Sequence, residues 1–418
     1  MADKAVSRVG SARAQESVST VSRRGRRRDI IDAAFDCLAG TDPDLIRIDD
    51  VARVAGVAKA TLYRHFPSKE ILYSIVLRQW VDDHQLRTIS AVGLERARIR
   101  ARSMIEAFEE QPQFFKLSVT LFSSTDPAVK AQLSGVAATT QQYFVDDLST
   151  LTEVAPSDAA TIVLAVVHSV AMSSVYHGVP FAAAYRLVDQ VIGLLTDRPQ
   201  SRSTPRHERT DGGDSVRTPV AAELPAYKRR RRDRIVEEAT SELRESRYEQ
   251  IRVSDIASRA DVALGTFYRY FPSKEALYAE VLRQWFLTSR FTEPLDDVAP
   301  GPRVAARIGA AVDAFEADPE FFRVNVLLHS VGGESVQAVL GDVFARARAM
   351  SLADLCAARV PDPDDVATMT WSLLSSLTMS AIAYGRSFSE VRRVMDTFAA
   401  LVISRADERL MIAEREPR

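Results

Sequence analysis

The chain has 418 residues, enough for two or more hydrophobic cores at roughly 150 residues per domain. Its composition, 46% hydrophobic and 26% charged, is that of a globular protein and excludes a chain that is fibrous or disordered throughout. Two widely separated cysteines, Cys37 and Cys356, predict neither a disulfide framework nor a zinc site, and no apolar run predicts a membrane span or a secretory signal, so we expect a cytoplasmic protein.

The charges are unevenly distributed although the net charge is only −2. Residues 1–80 carry 14 Lys and Arg against 10 Asp and Glu, and residues 227–285 carry 13 against 10. The remaining 279 residues therefore sum to −9. Two basic segments on acidic bodies indicate an anionic partner that is contacted at two places.

One sequence pattern occurs twice along the chain. Residues 46–80 and 251–285 are identical at 22 of 35 positions without a gap, at an offset of 205. Weaker matches follow at an offset of 207, for example Met172 with Met379. The chain is therefore predicted to consist of two copies of one unit of about 190 residues, here called copy one and copy two.

Each copy is predicted to be all-helical, because apolar residues recur at helical spacing and no segment alternates as a strand would. In copy one, a helix over Asp29–Leu38 precedes a short helix at about Asp49–Ala55, a turn at Gly56 and a second short helix at about Ala58–His65. Two short helices joined by a tight turn that contains glycine are typical of a helix-turn-helix.

Further positions are predicted from local patterns. Leu62 and Phe66, at i and i+4, should pack inward. Ser68 and Ser273, each after a proline and before a long apolar-periodic run, should be helix N-caps. Residues 157–177 are apolar on almost all sides and should form a buried helix.

The segments VAGVAKATLYRHFPSKEILY and RADVALGTFYRYFPSKEALY resemble the DNA-binding domain of the TetR family of bacterial transcription regulators. The resemblance covers only the start of each copy. It implies an all-α fold of two tandem units, each with a helix-turn-helix domain and a helical regulatory domain. Because family members are homodimers that place one helix-turn-helix on each half-site, it also implies an intramolecular pseudo-dimer, with a higher oligomer left open.

The function implied is that of a DNA-binding transcriptional regulator, a repressor released by a small apolar or amphipathic effector. The expected partner is double-stranded DNA with an imperfect palindromic operator, without cofactor, metal or membrane. The expected segments are a disordered basic arm (1–22), a first DNA-binding domain (23–85), a first regulatory and dimerisation domain (86–196), a linker (197–226), a second DNA-binding domain (227–290) and a second regulatory and dimerisation domain (291–412).

The resemblance carries DNA contacts over to matching positions. Phosphate contacts are expected from Thr61, Tyr63, His65 and Lys69 and from Thr266, Tyr268, Tyr270 and Lys274. The N-terminal ends of the two recognition helices, Lys59 and Ala60 against Leu264 and Gly265, are expected to face bases. Basic arms are expected from Arg23, Arg24, Arg26, Arg27 and Arg28 and from Lys228, Arg229, Arg230, Arg231, Arg232 and Arg234.

Copy two departs from the family pattern at the turn. Asp261 stands where copy one has Gly56. Aspartate tolerates the left-handed conformation that such a turn requires, but an acidic side chain near DNA is unfavourable. Arg47 and Arg252 replace a helix-capping threonine and are expected to reach phosphates instead.

Three hypotheses stay open at this point. The chain is a ligand-responsive regulator, or an interaction module in which only the first helix-turn-helix binds DNA, or a helical enzyme with an unrecognised site. No catalytic motif supports the third hypothesis, so we expect no enzyme activity. An effector pocket would involve Phe115, Phe122, His168, Met172, Phe322 and Met379, although aromatic residues and isolated histidines in such helices are more often part of the core.

Overall fold

The computed structural model describes residues 25–85, 89–122, 124–195 and 225–415. Within these ranges every regular element is a helix, as the sequence predicted. The chain divides into two compact units, one up to Asp189 and one from Gln190 onward. The predicted arm at 1–22, Arg23, Arg24 and positions 196–224, which include most of the predicted linker, lie outside the described residues.

Copy one is a succession of helices with short connections. These are α1 (25–39), α2 (Ile48–Val54), α3 (Lys59–His65), α4 (Lys69–Gln85), α5 (Gly93–Glu110), α6 (Pro112–Phe122), α7 (Pro127–Asp147), α8 (Pro156–His177) and α9 (Phe181–Leu194).

Copy two repeats this order, with two short 3₁₀ turns, at Tyr248–Gln250 between α10 and α11 and at Arg290–Thr292 after α13. Its helices are α10 (Ala226–Glu245), α11 (Val253–Arg259), α12 (Leu264–Tyr270), α13 (Lys274–Thr288), α14 (Pro300–Ala317), α15 (Pro319–Val331), α16 (Glu334–Ala357), α17 (Pro363–Tyr384) and α18 (Phe388–Arg415).

The turn between the short helices has the same conformation in both copies. Gly56 has φ +63° and Asp261 has φ +56°, both in the left-handed region. Glycine adopts this conformation without a steric penalty, and aspartate is one of the few other residues that tolerate it. The prediction that Asp261 keeps the turn is therefore confirmed.

The helix α8 is buried in the first unit, as its sequence predicted. Most of its side chains are buried, and it ends at Gly178, which has φ +67° and caps the helix. Among the described helices, α8 alone is long and apolar enough to cross a membrane, but 61% of that apolar window is buried inside the structure. Such burial is typical of the core helix of a folded domain.

A buried ion pair joins two equivalent helices in each copy. In copy one the Arg100 Nε lies 2.8 Å from the Asp147 Oδ2 and joins α5 to α7. In copy two Arg307 pairs with Asp354 and joins α14 to α16. The two pairs lie 207 positions apart, the offset already seen in the weaker repeat, so this pair was detectable in the sequence.

Candidate nucleic-acid interface

The two recognition helices, α3 and α12, each bury one face and expose the other. Leu62 and Phe267 are fully buried at equivalent positions, and the next residues, Tyr63 and Tyr268, are 42% and 47% exposed. A large aromatic side chain at that exposure on a seven-residue helix is available to a partner. The predicted inward packing of Leu62 and Phe66 is confirmed, since neither is accessible to solvent.

The other predicted contact residues of these helices flank the tyrosines. Ala60 and Gly265 are exposed, while Thr61, His65, Thr266 and Tyr270 are half-buried at the edges of the same surface. The His65 ring also lies 6.4 Å from the Phe66 ring. Each helix therefore presents a hydroxyl-bearing surface of similar layout, and hydroxyls are common donors to phosphate oxygens.

The first residue of each recognition helix has a different environment in the two copies. The Lys59 Nζ lies 2.8 Å from the Asp49 Oδ1 on α2, and this hydrogen-bonded carboxylate raises the pKa of Lys59. In copy two the equivalent residues are Leu264, which is 45% exposed, and Ser254. Sequence reasoning missed Asp49, and the signal that points to it is the joint replacement of both partners.

The two lysines expected to contact phosphate lie partly inside their own domain. The Lys69 Nζ donates to the carbonyl oxygens of Pro43 at 3.2 Å and of Ile46 at 2.7 Å. Lys274 likewise donates to the carbonyls of Tyr248 and, at 2.8 Å, of Ile251. Desolvation by burial lowers the pKa of both lysines. Each ammonium thus fixes the segment that leads into the helix-turn-helix and keeps one of its three donors for another acceptor.

The basic arms are helical where the structure describes them, and one arginine of each covers a phenylalanine. The Arg27 guanidinium lies 5.1 Å from the Phe66 ring centre, and Arg232 lies 5.1 Å from that of Phe271. Arg232 is also paired with Glu280 at 3.2 Å. This repeated stack fixes the N-terminal parts of α1 and α10 against the ends of α3 and α12.

The remaining arm and cap positions are accessible. Exposed residues are Arg26, Arg28, Arg229, Arg230, Arg231 and Arg234, with Arg47 and Arg252 exposed at the N-caps of α2 and α11. Neither Arg47 nor Arg252 caps its helix through the side chain, as predicted from the loss of threonine. Arg24 lies outside the described residues.

The residues expected at an effector pocket are buried or half-buried among the helices of the two copies. Phe115 is fully buried, and its ring lies 5.2 Å from that of His168. Burial lowers the pKa of His168 to about 4. Phe322 is buried against the Phe315 ring at 5.1 Å. The remaining members, Phe122, Met172 and Met379, are half-buried.

A surface depression in the described part of the chain involves none of these expected pocket residues. It has a volume of about 530 Å³, lies open at the surface of copy two and is lined by the polar and charged residues Glu316, Ser389, Arg392, Arg393, Asp396 and Thr397. Within the described residues, no group of three or more His, Cys, Asp or Glu side chains is arranged to hold a metal ion.

A family model described as bacterial regulatory proteins of the tetR family matches the chain twice, at residues 30–74 and 235–281. Similar curated proteins include the HTH-type transcriptional regulator RutR of Escherichia coli (strain K12), 30% identical over 131 residues, and the HTH-type transcriptional repressor KstR of Mycobacterium tuberculosis (strain ATCC 25618 / H37Rv), 32% identical over 133 residues. Each alignment covers 29% of this chain, and the chain spans 61% and 60% of the length of these relatives.

Matches among solved structures include a TetR transcriptional regulator from Rhodococcus sp. RHA1, with 21% identity and a TM-score of 0.35 over 42% of this chain and 96% of that chain. A tetR-family regulator from Streptomyces coelicolor matches with 22% identity and a TM-score of 0.36 over 46% of this chain and 87% of that chain.

Proposed function

Because the chain belongs to the TetR family and carries two of its units in tandem, we propose that it is a sequence-specific DNA-binding transcriptional regulator whose two helix-turn-helices bind one operator. The names of its relatives, a regulator and a repressor of transcription, support a repressor. We also propose that the chain has no catalytic activity and is located in the cytoplasm.

The observation that carries this proposal is the shared outer face of the recognition helices. Both α3 and α12 bury their apolar residue and expose the following tyrosine, Tyr63 or Tyr268, at nearly the same fraction. The two helices also share the Thr-x-Tyr-Arg pattern that begins at Thr61 and at Thr266. Such a set suits phosphate contacts, which position a protein on a duplex without reading its sequence.

Base reading is proposed to differ between the two copies. Lys59 can donate to guanine O6 or N7, whereas Leu264 can make only apolar contact, for example with a thymine methyl group. We therefore propose an operator that is an imperfect palindrome, with similar spacing but different base preference in its two halves. Lys69 and Lys274 are proposed to contribute to phosphate binding only through the donor that their own domain leaves available.

The two regulatory and dimerisation domains are proposed to bind the effector and to pair with each other. Their apolar interiors suit an apolar or amphipathic effector better than an anionic one, which would need a counter-charge. The helices α8 and α9 of copy one are proposed to pair with α17 and α18 of copy two as the pseudo-dimer interface, as two subunits would in a homodimer.

Selection of binding sites from random duplex DNA tests this function. Wild type is expected to yield two unequal half-sites, and Lys59→Leu is expected to change the preference in one of them. Binding should weaken steeply with salt, because neutralised phosphates release counterions. A perfect palindrome from wild type, or a Lys59→Leu protein that leaves both half-sites unchanged, contradicts the two-reader proposal, and absence of salt-dependent duplex binding contradicts the function itself.

The second candidate is a regulator in which only the first helix-turn-helix binds DNA. The exposed carboxylate of Asp261 in the turn before α12 favours it, since a carboxylate repels phosphates. Footprinting distinguishes the two, because the proposed function requires protection of both half-sites by one chain.

A further inference from the structure

We propose that copy two alone holds the effector site, an internal pocket beside Phe322 in which Thr378 recognises a neutral amphipathic molecule with one hydroxyl or carbonyl group. The inference rests on the proposed function and narrows the effector site to one of the two regulatory and dimerisation domains. It starts from a comparison of equivalent positions, which lie 207 residues apart in the two copies.

In copy one, three rings lie around Phe115, which is fully buried. Their centres are 5.0 Å (Phe108), 5.2 Å (His168) and 6.4 Å (Tyr176) from the centre of the Phe115 ring. His168 and Tyr176 both belong to α8 and are eight positions apart, so they cover one side of the phenylalanine. The interior of copy one is therefore filled by side chains at this place.

In copy two, the equivalent Phe322 keeps one of these three ring neighbours. Its ring centre lies 5.1 Å from that of Phe315. The positions of the other two rings are occupied by Ser375 and Ala383, which carry no ring. Phe322 is nevertheless only 3% exposed, so the missing ring volume belongs to the interior and not to the surface. Because protein interiors are otherwise closely packed, the space left by a missing ring suits a ligand of about that size.

A buried hydroxyl without a partner lies beside this space. Thr378 is 0% exposed, and its Oγ1 has no hydrogen-bond partner. By contrast, the Thr370 Oγ1 on the same helix donates to the Val366 carbonyl at 2.8 Å, as is common for threonine in helices. Residues at i and i+3 share a helix face, which places Thr378 next to Ser375. A buried unpaired hydroxyl costs stability, and a ligand group that pairs with it removes that cost.

The composition of α17 restricts the class of effector. From Val366 to Tyr384 the helix has no charged side chain, so an ionic ligand would lack a counter-charge there. The ring of Phe322 and the single hydroxyl of Thr378 together suit a molecule with an apolar body and one polar group. Copy one has Ala171 at the position of Thr378 and offers no hydroxyl at this point.

The test uses the full chain and two probes of nearly the same size, phenol and toluene, which differ by a hydroxyl against a methyl group. In calorimetric titrations, wild type is expected to bind phenol about fivefold more tightly than toluene, because one neutral hydrogen bond contributes about this much. Thr378→Val keeps the shape of the side chain and removes the hydroxyl. It should therefore bind the two probes alike and have a raised Tm, and a retained preference for phenol would overturn the inference.

Ser174→Ala is the matched control in copy one. The Ser174 Oγ is also buried without a hydrogen-bond partner. Ser174 follows His168 by six positions, which places it about 120° away round α8 and not beside the rings. This variant should keep the fivefold preference for phenol, and loss of the preference would place the site in copy one and overturn the inference.

Ser375→His locates the site, because it restores a ring that copy one has. It is expected to abolish binding of both probes without lowering the Tm, since the ring enters existing space. A Tm lower by several degrees would show that the interior is already filled there and would overturn the inference. Unchanged probe binding would also overturn it, because the site would then lie elsewhere.

Failure of this inference is distinguishable from failure of the proposed function. If wild type protects its operator but binds phenol no more tightly than toluene, the inference is wrong and the function stands. If wild type and the variants bind the probes as expected but wild type binds no duplex DNA, the proposed function is wrong and the pocket is not an effector site.

Discussion

At the scale of single residues, Lys69 has a structural role that can be separated from DNA binding. Lys69→Met keeps the length of the side chain but removes the donor from the carbonyls of Pro43 and Ile46. We expect the unfolding free energy of the first unit to fall by about 1–3 kcal/mol, since buried acceptors lose their partner. Tyr63→Phe removes only an exposed hydroxyl and should change stability by less than about 0.5 kcal/mol while it weakens DNA binding.

Urea unfolding and DNA titration of both variants provide the measurement. The expected pattern is a loss of stability in Lys69→Met and a loss of DNA affinity alone in Tyr63→Phe. A Lys69→Met protein as stable as wild type but defective in DNA binding would show that the ammonium acts mainly on phosphate.

His168 should make the first unit sensitive to acid. Its pKa is lowered from 6.5 to about 4 by burial, so the folded ring stays neutral while the unfolded ring is protonated below pH 6.5. Falling pH therefore favours the unfolded state, and the unfolding free energy should drop by about 3 kcal/mol between pH 6.5 and pH 4. Burial lowers the pKa of His177 as well, which acts in the same direction.

The check is the unfolding free energy of wild type and His168→Asn as a function of pH, with each protein referred to its own value at pH 8. The variant should lose stability less steeply between pH 6.5 and pH 4. Identical slopes would mean that the folded ring accepts a proton near its usual pKa. Copy two has Ser375 at the equivalent position, so this contribution belongs to copy one alone.

Residue-level prediction from sequence worked where the determining contacts are local. The burial of Leu62 and Phe66 follows from i, i+4 spacing within one helix, and the cap at Ser68 from its place before α4, where its Oγ accepts from the Ile71 N–H at 3.1 Å. The partners of Lys69 lie 23 and 26 positions away in a loop. No periodicity relates such positions, so the structural role of Lys69 could not be read from the chain.

At the scale of elements, the stability of the first unit should be sensitive to the loss of one partner of the buried ion pair between α5 and α7. Asp147 is 1% exposed and accepts from Arg96 as well as Arg100. Asp147→Asn leaves the buried guanidinium without its counter-charge, and we expect a loss of about 3–5 kcal/mol in unfolding free energy. The neighbouring Asp146 is exposed, so Asp146→Asn is the matched control with the same change of charge.

Thermal unfolding of both variants, followed by circular dichroism, tests this expectation. Asp146→Asn should stay within about 0.5 kcal/mol of wild type, as is usual for surface substitutions. Equal stabilities of the two variants would mean that the pair contributes nothing beyond a surface charge.

Prediction of whole elements succeeded where sequence signals were strong. The short helices around Gly56 and the apolar helix α8 were predicted within a residue or two of their bounds. The helices α5 to α7 were not assigned. In α5 the apolar residues are interspersed with charged ones such as Arg96 and Arg100, and its packing on α7 depends on ion pairs that span some 50 positions. The repeat offset of 207 was the one signal that could have revealed them.

At the scale of the whole molecule, the fusion of two units has a consequence for DNA reading. In a homodimer both recognition helices carry the same sequence, so any change in one half-site contact occurs in both. Here Lys59 and Leu264 have diverged while the tyrosines next to the buried core residues have not. Under the proposed function, a fused chain can thus vary its base contacts in one half while the proposed phosphate contacts that position the protein stay the same.

The same fusion predicts that one chain is the functional unit. If copy one and copy two pair with each other, the chain should sediment as a monomer at micromolar concentration and bind one operator per chain. Tethering places the two copies at an effective concentration on the order of millimolar, far above that of separate chains. A protease site inserted between positions 205 and 215 should leave operator binding unchanged at micromolar protein and weaken it at nanomolar protein after cleavage, because the halves then separate. A two-chain dimer that prefers a perfect palindrome of either half-site would show instead that like copies pair between chains, whereas a two-chain dimer bound to two unequal operators would be a pair of pseudo-dimers.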